Sequence, residues 1–342
     1  MRDKMETKIF NTDQIAEAAA AIRAGQLVAF PTETVYGLGA DATNEAAVKQ
    51  VYLAKGRPSD NPLIVHVTGE ETVKAFAQPL SDKAEALIKA FWPGPLTLIF
   101  ALQPGKLSSA VTGGLNTAAF RNPDNAATLA LIKAAGVPLV GPSANTSGKP
   151  SPTLAKHVYH DLNGKIAGIL DDGPTKVGVE STVLDMSTDI PTILRPGGVT
   201  EEQLAAVIGT VQSSHHKVGK TEVPKAPGMK YKHYAPNAQV TIVDHEADWT
   251  AALQWASEQS GTIGVMAVDR ILQAHNLPDN VEAFSLGHDL TSASHRLFAG
   301  LRHFDLESPV TGILAQGFTA EGLGAAYMNR LNKSAGQQHF TN

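Results

Sequence analysis

The chain contains 342 residues, of which 43% are hydrophobic and 18% are charged, and its 28 basic and 33 acidic side chains give a formal net charge of −5. This size predicts two domains, the composition excludes a chain that is disordered throughout, and no apolar run approaches the about 20 residues that cross a bilayer. Cysteine is absent, which excludes disulfides, a thiolate nucleophile and cysteine-ligated metals; together with an N-terminus that lacks a signal-peptide core, this predicts a cytoplasmic protein.

The first part of the chain is predicted to be a mixed α/β domain. Ala-rich or capped segments indicate helices, for example where Gly25 ends an Ala-rich run or Ser81 provides an N-cap. Several strands follow one another without a helix, so a purely parallel sheet is not expected. The predicted helices are 13–24, 44–54, 81–92, 125–135 and 201–208, and the predicted strands are 27–30, 63–67, 96–102, 117–121, 137–140, 181–186 and 192–194.

The second part of the chain is separated from the first by a polar segment. Residues 210–237 are rich in Ser, His, Lys, Gly and Pro and show no apolar periodicity, which is typical of a linker. The alternation after the linker predicts a small doubly wound, three-layer α/β domain of the Rossmann-like kind. The predicted strands there are 240–243, 263–268, 281–286 and 312–316, and the predicted helices are 247–258, one near 271, 290–305 and 322–332; the predicted boundaries are 1–209, 210–237 and 238–342.

The segment 30–39, FPTETVYGLG, is the first of several that combine special residues. It follows a predicted strand and is interpreted as a loop with two glycines among hydroxyl and carboxyl side chains. Glycines allow backbone N–H groups to approach a ligand closely. The alternative is an ordinary turn in which Gly37 and Gly39 have positive φ.

Two cations, Lys55 and Arg57, precede a proline-containing loop and the apolar strand that contains His66. Two cations on a stiff loop suit a polyphosphate better than a surface ion pair. His66 by itself is more typical of a hydrogen-bonded core histidine.

Two further loops are rich in small hydroxyl and amide side chains, VGPSANTSGKPSPT at 140–153 and GVESTV at 178–183. Such groups can hydrogen-bond a ligand at strand ends, although a Ser/Thr-rich turn has the same composition. The glycine spacing in the first loop excludes a phosphate-binding P-loop. Arg57, Arg121 and Arg195 each lie beside a strand end and jointly indicate one anion-binding cavity.

The motifs PTETVYGLG, KGRPxxNPLIVH, FWPGPLT, the Arg after TAAF, PSANxSG, GVEST and LRPG together resemble the YrdC-like family. The later APGMKYKHYAP and the ending AxMNR resemble the two-domain long form of that family. The resemblance extends in the family's order from about residue 10 to 333, with the second domain matched loosely beyond its linker. It implies an open, twisted α/β N-terminal fold with a large basic cavity.

The resemblance also implies an activity. The family condenses L-threonine, bicarbonate or CO2 and ATP into threonylcarbamoyl-AMP and releases pyrophosphate, which is a nucleotidyltransferase reaction. Mg²⁺ is then expected on the ATP phosphates, with no dedicated protein site. A separate transferase would move the threonylcarbamoyl group to the tRNA adenosine next to the anticodon. Neither a membrane nor a stable nucleic-acid partner is expected.

Matching motif positions imply the following site residues. Arg121 is the expected fork for the threonine carboxylate, and Lys55 and Arg57 are the expected catalytic cations, with Lys55 and Asn145 close to the phosphates and Mg²⁺. Tyr231 in the linker implies a lid over the cavity. The implied threonine contacts are Thr34, His66, Arg121, the backbone of Gly141 and Ser181, and the implied ATP contacts are Arg57, Asn61, Thr117, Ser143, Ser151, Arg195 and Tyr231.

Two other functions fit part of the pattern. One is a module that binds double-stranded RNA or tRNA directly, which the net charge of −5 and the lack of an aromatic or RGG-type surface disfavour. The other is a carbamoyltransferase with another acceptor, but related domains of that kind accompany zinc-finger cysteines, which this chain lacks.

Overall fold

The computed structural model describes residues 6–214, 219, 222–226 and 233–341. Two compact units are present. The N-terminal unit contains the chain through Ser147, then Ser151–Lys176 and the segment that begins at Glu180. The C-terminal unit contains Gly148–Pro150, Val177–Val179 and the chain after the linker. The described helices include none that is long and apolar enough to cross a membrane.

The N-terminal unit is built on a single mixed sheet, which confirms the mixed α/β prediction. Within the described residues this sheet has 11 strands in the order β1-β8-β2-β3-β7-β4-β6-β5-β9-β10-β11. Those strands are β1 (Lys8–Phe10), β2 (Val28–Phe30), β3 (Gly37–Asp41), β4 (Ile64–His66), β5 (Leu96–Ala101), β6 (Thr117–Arg121), β7 (Leu139–Val140), β8 (Gly168–Leu170), β9 (Thr182–Asp185), β10 (Thr192–Arg195) and β11 (Gln212–Ser213). The helices are α1 (Ile15–Arg23), α2 (Glu45–Lys55), α3 (Glu70–Lys74), α4 (Asp82–Phe91), α5 (Ser109–Thr112), α6 (Ala126–Ala135), α7 (Ala155–Leu162) and α8 (Glu201–Ile208).

Local capping residues set the helix ends. Ser81 accepts a hydrogen bond from the Ala84 amide at the start of α4, and Asn125 does the same for Thr128 at the start of α6. Gly136 follows α6 in the left-handed conformation. Side-chain caps satisfy free amides in the first turn, and a glycine lets the chain turn away at the last. The five helices predicted in this part of the chain are therefore found within a few residues of their predicted ends.

The interpretation of 30–39 as a loop throughout was wrong, because Gly37 and Gly39 belong to β3, which pairs antiparallel with β2. Neither glycine has a positive φ, so the turn alternative is wrong too. A Cβ at Gly37 would lie 2.8 Å from the Phe30 ring, and one at Gly39 would lie 2.6 Å from the Val28 carbonyl oxygen. These positions carry glycine because the neighbouring strand approaches closely, a constraint that strand periodicity does not reveal.

The C-terminal unit contains a separate parallel sheet, as the strand–helix alternation predicted. In the described part of this unit, four strands have the order β12-β15-β13-β14. From β12 to β13 to β14 the chain moves in one direction across the sheet, and β15 then returns to a position between β12 and β13. Because crossovers between parallel strands are right-handed, this return places helices on both faces of the sheet and gives three layers. The strands are β12 (Gln239–Val243), β13 (Ile263–Ala267), β14 (Val281–Ser285) and β15 (Gly312–Gln316), and the helices are α9 (Trp249–Ser257), α10 (Asp269–Ala274), α11 (Leu290–Leu306) and α12 (Leu323–Ala335).

Helix α11 holds the two short loops that join the C-terminal unit from earlier in the chain. The buried Arg302 guanidinium donates to the Pro150 carbonyl from Nη2 at 2.6 Å and from Nε at 3.1 Å. Gly178 lies so close to α11 that a Cβ there would be 2.2 Å from the His295 carbonyl oxygen. The Pro150 and Gly178 backbones are thus fixed by one helix.

Candidate active site

One face of the large sheet carries most of the predicted site residues. Side chains alternate between faces along a strand, so Thr117, Ala119 and Arg121 of β6 share a face. The parallel register of β4 places His66 beside Arg121. The antiparallel register of β5 places Thr97 beside Arg121 on the other side. Strand pairing thus brings together residues that are far apart in sequence.

Arg121 is the buried cation at one end of this face, with 4% of the residue exposed. Its Nη1 donates to Thr34 Oγ1 at 2.9 Å, and its Nη2 lies 2.7 Å from Glu33 Oε1 in an equally buried ion pair. Thr34 Oγ1 also lies 2.9 Å from Thr32 Oγ1. A guanidinium placed in this way can bind a further carboxylate in a fork.

His66 is buried and neutral beside this cation. Burial, followed by the nearby Arg121 charge, lowers the pKa of His66 to about 3. The Phe30 ring packs edge-on against the imidazole with centroids 5.1 Å apart. A Cβ at Gly141 would lie 2.5 Å from His66 Nδ1 and 2.6 Å from Phe30 Cζ, so only glycine fits there. Gly141, His66, Arg121 and Thr34, all implied for threonine, therefore follow one another as neighbours.

Ser181, the remaining residue implied for threonine, belongs to a second buried group. Its Oγ lies 2.8 Å from Thr97 Oγ1, and Arg195 Nη2 donates to it at 3.1 Å. Arg195 Nη1 lies 3.2 Å from Glu180 Oε2, while Ser151 Oγ donates to Glu180 Oε1 at 3.2 Å. This hydrogen-bond network joins Ser151 and Arg195, which were implied for ATP, to Ser181.

Lys55 differs from its predicted environment. It was placed with Arg57 on a proline-stiffened loop, but it is the last residue of α2 and is 2% exposed. Its ammonium donates to the backbone carbonyls of Ser143 and Asn145, the latter at 2.7 Å. Gly56 directly after it ends the helix in the left-handed conformation. Lys55 therefore fixes the loop that carries Ser143 and Asn145.

Arg57 lies on the loop itself, and Nη2 donates to the carbonyls of Asn61 and Pro62, each at 3.2 Å. A cavity of about 940 Å³ opens beside Arg57 and is also lined by Tyr52 and Asp60. Asn61 is 1% exposed, and no described residue gives a hydrogen bond to its Oδ1. This end of the site therefore has a cation and a buried acceptor oxygen.

The predicted residues do not form one cluster. Thr117 and Arg121 lie at opposite ends of β6, about 13 Å apart at about 3.3 Å per residue. Arg57 and Asn61 precede β4, whereas His66 ends it. The site thus extends along the strands, from the Arg57 end to the Arg121 end. Tyr231 lies outside the described residues, so the position predicted for it stays a prediction.

Part of the predicted linker packs on this same face of the sheet. Ala226 is fully buried in a cluster with Ile64, Ile99, Ala119 and Val183. Lys225 Nζ lies 3.0 Å from Asp185 Oδ2. The apolar middle of the face, between its two polar ends, is therefore covered by residues that sequence periodicity assigned to a linker.

Sequence reasoning missed three buried residues of the site. Glu33 and Glu180 both lie inside quoted motifs, and an acid flanked by threonine, serine or valine was a signal for a buried carboxylate. Thr97 was detectable only through the register of β5 against β6. In the described residues no group of three or more His, Cys, Asp or Glu side chains could hold a metal ion.

Two family models match the chain. The Sua5/YciO/YrdC model, described as telomere recombination, matches residues 20–197. The Sua5 C-terminal model, described as the C-terminal domain of threonylcarbamoyl-AMP synthase, matches residues 199–336. The two models cover both parts of the chain in the order that the motifs indicated.

Individual relatives match over nearly the whole chain. A Bacillus subtilis protein named threonylcarbamoyl-AMP synthase is 49% identical, covering 95% of this chain and 94% of that protein. A Pyrococcus abyssi protein of the same name is 45% identical, covering 94% of each. The crystal structure of P. abyssi Sua5 complexed with L-threonine superposes with a TM-score of 0.90 at 43% identity, covering 98% of this chain and 99% of that one. The chain therefore belongs to the Sua5/YciO/YrdC family, in the form that also carries the Sua5 C-terminal domain.

Proposed function

We propose that this chain is an L-threonylcarbamoyladenylate synthase, a nucleotidyltransferase that condenses L-threonine, bicarbonate or CO2 and ATP and releases pyrophosphate. The observation that carries the proposal is 49% identity to the B. subtilis threonylcarbamoyl-AMP synthase over 95% of this chain. The buried cations and hydroxyls along one sheet face supply the chemistry that such a reaction needs.

The reaction requires positioning more than covalent catalysis. The threonine amine captures the one-carbon unit as a carbamate, and a carbamate oxygen then attacks the α-phosphorus while pyrophosphate leaves. No protein nucleophile is needed, which agrees with the absence of cysteine from the sequence. Holding three reactants in line lowers the entropic part of the barrier, and fixed cations stabilise charge on the phosphoryl oxygens.

The Arg121 end of the site is proposed to bind threonine. Arg121 would bind the carboxylate, while Thr34, the ring of neutral His66 and the Gly141 backbone would enclose the rest of the molecule. Ser181, which directly precedes β9, would contribute through its contact with Thr97. The close packing of Gly141 against His66 and Phe30 leaves no room for a side chain at position 141.

The rest of the face is proposed to bind ATP. The Lys55 ammonium holds the loop that presents Ser143 and Asn145, so Lys55 acts on the phosphates through that loop as well as by its charge. Arg57 supplies a second cation near the phosphates. The other proposed contacts are Asn61, Thr117, Ser151, Arg195 and, from the linker, Tyr231.

Mg²⁺ is proposed to enter with ATP. Mg²⁺ is usually bound through phosphates, waters and one or two oxygen ligands, so it needs no protein cage. The buried Asn61 Oδ1, which receives no hydrogen bond from a described residue, is an oxygen ligand of that kind, and the Asn145 amide is the second candidate. Bound there, Mg²⁺ would neutralise charge on the departing pyrophosphate.

The product defines the next protein in the reaction sequence. An acyl-adenylate is hydrolysed readily, so we propose that it passes to a separate transferase, which modifies the tRNA adenosine next to the anticodon. The predicted division of labour gives 1–209 the catalysis and 210–237 the role of a lid. The packing of Ala226 on the sheet supports the lid proposal. The cytoplasmic location stays a prediction.

The test is pyrophosphate release from ATP with threonine and bicarbonate supplied together and omitted in turn. Release that depends on both supports the proposal, whereas RNA binding without such release would favour the RNA-binding alternative. Arg57→Ala should abolish turnover in a folded protein. Lys89→Ala is the matched control, because Lys89 is an exposed cation in the last turn of α4. Normal release by Arg57→Ala would reduce Arg57 to a structural cation.

A further inference from the structure

The Glu33 side chain is a buried carboxylate for which the proposed chemistry gives no role. The residue is 4% exposed, and no described residue donates a hydrogen bond to either of its oxygens. Buried carboxylates usually accept several hydrogen bonds, because the loss of water is costly. Glu33 therefore has unused acceptor capacity inside the site.

Arg121 neutralises Glu33 without filling that capacity. Its Nη2 lies 2.7 Å from Glu33 Oε1, but the N–H does not point at the oxygen, and Nη2 makes no hydrogen bond to any described residue. The other guanidinium nitrogens point elsewhere, Nη1 to Thr34 Oγ1 and Nε to the Gly94 carbonyl at 3.4 Å. The pair is balanced in charge, but each partner keeps hydrogen-bonding groups for a third molecule.

That third molecule should itself carry both charges. A neutral pair with a free donor on the cation and free acceptors on the anion is complementary to a zwitterion, whose carboxylate meets the arginine and whose ammonium meets the glutamate. His66, kept neutral by its lowered pKa, can accept a hydrogen bond through a ring nitrogen but supplies no counter-charge for an ammonium. The remaining neighbours, Thr34 and Gly141, offer only neutral groups.

We propose that Glu33 binds the ammonium group of the amino-acid substrate and positions its nitrogen, so that the site selects an α-amino acid over the corresponding α-hydroxy acid. This inference rests on the proposed function, since it assigns a role within the same threonine subsite. Arg121 then binds the carboxylate of the zwitterion and Glu33 binds its ammonium group, so the nitrogen that reacts is held by a fixed carboxylate.

The backbone around Glu33 is held independently of its side chain. The Glu33 carbonyl accepts a hydrogen bond from the Lys176 amide at 3.0 Å, and the Thr32 hydroxyl bonds within the next turn to the Val35 carbonyl at 2.6 Å. Substituting the carboxyl group should therefore leave the path of the chain unchanged. Glu33→Gln preserves shape and removes charge, and Glu33→Asp preserves charge and withdraws it by one methylene.

The experiment compares two ligands by calorimetric titration, which does not depend on turnover. L-threonine is compared with 2,3-dihydroxybutanoate of matching stereochemistry, which keeps the carboxylate and side-chain hydroxyl but lacks the ammonium. Glu33→Gln should weaken threonine binding by about 10- to 100-fold, the range of a lost charged hydrogen bond. The analogue should bind within about threefold of its affinity for the wild-type protein.

The control variant is Glu71→Gln, whose exposed carboxylate lies 3.7 Å from the Lys74 ammonium on α3 and should leave both ligands unaffected. Parallel weakening of threonine and the analogue would mean that Glu33 acts only through Arg121, and it would overturn the proposal, as would unchanged threonine affinity. If Glu33→Gln does not fold, Glu33→Asp takes its place, with threonine again weakened more than the analogue. Failure of the proposed function appears separately, as wild-type protein that binds threonine without threonine-dependent pyrophosphate release.

Discussion

Arg121→Ala should have two separate effects, one on the stability of the fold and one on the affinity for threonine. The substitution removes a buried guanidinium that contacts Thr34 at 2.9 Å and Glu33 at 2.7 Å. It leaves the Glu33 carboxylate buried without its counter-charge. Removing one partner of a buried ion pair costs about 3–5 kcal/mol, which is a large part of the about 5–15 kcal/mol that stabilises a typical domain.

The effect on threonine should be of similar size but of separate origin. Loss of a two-pronged contact to a buried carboxylate costs about 2–4 kcal/mol, or roughly 30- to 700-fold in affinity. ATP should be affected much less, because its proposed contacts belong to the Arg57 end of the site and to the network that holds Arg195. The KM for threonine should therefore rise steeply while that for ATP changes little.

The assay is pyrophosphate release at varied threonine and ATP, alongside thermal unfolding. The double variant Arg121→Ala/Glu33→Ala should unfold at a higher temperature than Arg121→Ala, because it leaves no unpaired buried charge, yet it should bind threonine no better. Unchanged threonine affinity with a collapse of ATP affinity would refute the assignment of Arg121. A double variant less stable than Arg121→Ala would refute the charge argument.

Three further predictions follow from the geometry. The pKa of His66 is lowered to about 3 in the folded chain from about 6.5 in the unfolded chain, so the unfolded state takes up the proton first. The free energy of unfolding should therefore fall as the pH drops from about 6.5 towards 3. Chemical denaturation across that range should show a shallower fall for His66→Gln. Gly141→Ala should lose threonine binding in calorimetry and about 1–3 kcal/mol of stability, because its Cβ would overlap the buried imidazole, whereas Gly69→Ala, with no atom within 4 Å of the added carbon, should behave as wild type. If the linker is a lid, Ala226→Asp and Tyr231→Ala should both slow turnover. Both variants should also speed proteolysis of residues 222–236 in the presence of threonine and a non-hydrolysable ATP analogue. Wild-type kinetics in both variants would mean that the segment is only a tether.

Local signals predicted most of the elements, and long-range contacts account for the errors. Ser81 and Asn125 cap helices through neighbours three residues away, so their signals are contained in the sequence. The strand β6 was predicted at its observed ends. The glycines of β3 were misinterpreted as loop residues, because glycine is needed there to make room for the Phe30 ring on the adjacent strand, and no local sequence pattern shows that contact.

The candidate site shows the same division. Motif resemblance assigned Arg121, Thr34 and His66, and strand register places them side by side. The partner of Lys55 could not be predicted, because its ammonium reaches a loop about 90 residues later in the sequence. The proposed role of Glu33 depends on the direction of one guanidinium N–H, which the sequence does not specify.

The contacts of α11 with Pro150 and Gly178 limit how this protein can be cut into separate domains. The chain enters the C-terminal unit for three residues at a time, twice, before the linker takes it there permanently. No single cut therefore separates the two units, and a deletion of everything after the linker would strip the partners from two loops. Because Ser151 directly follows one of those loops and Glu180 the other, the two ends of the Ser151–Glu180 hydrogen bond would loosen together. A graft of the N-terminal unit onto another scaffold would have to redesign 148–150 and 177–179 before its active site could be expected to hold its shape.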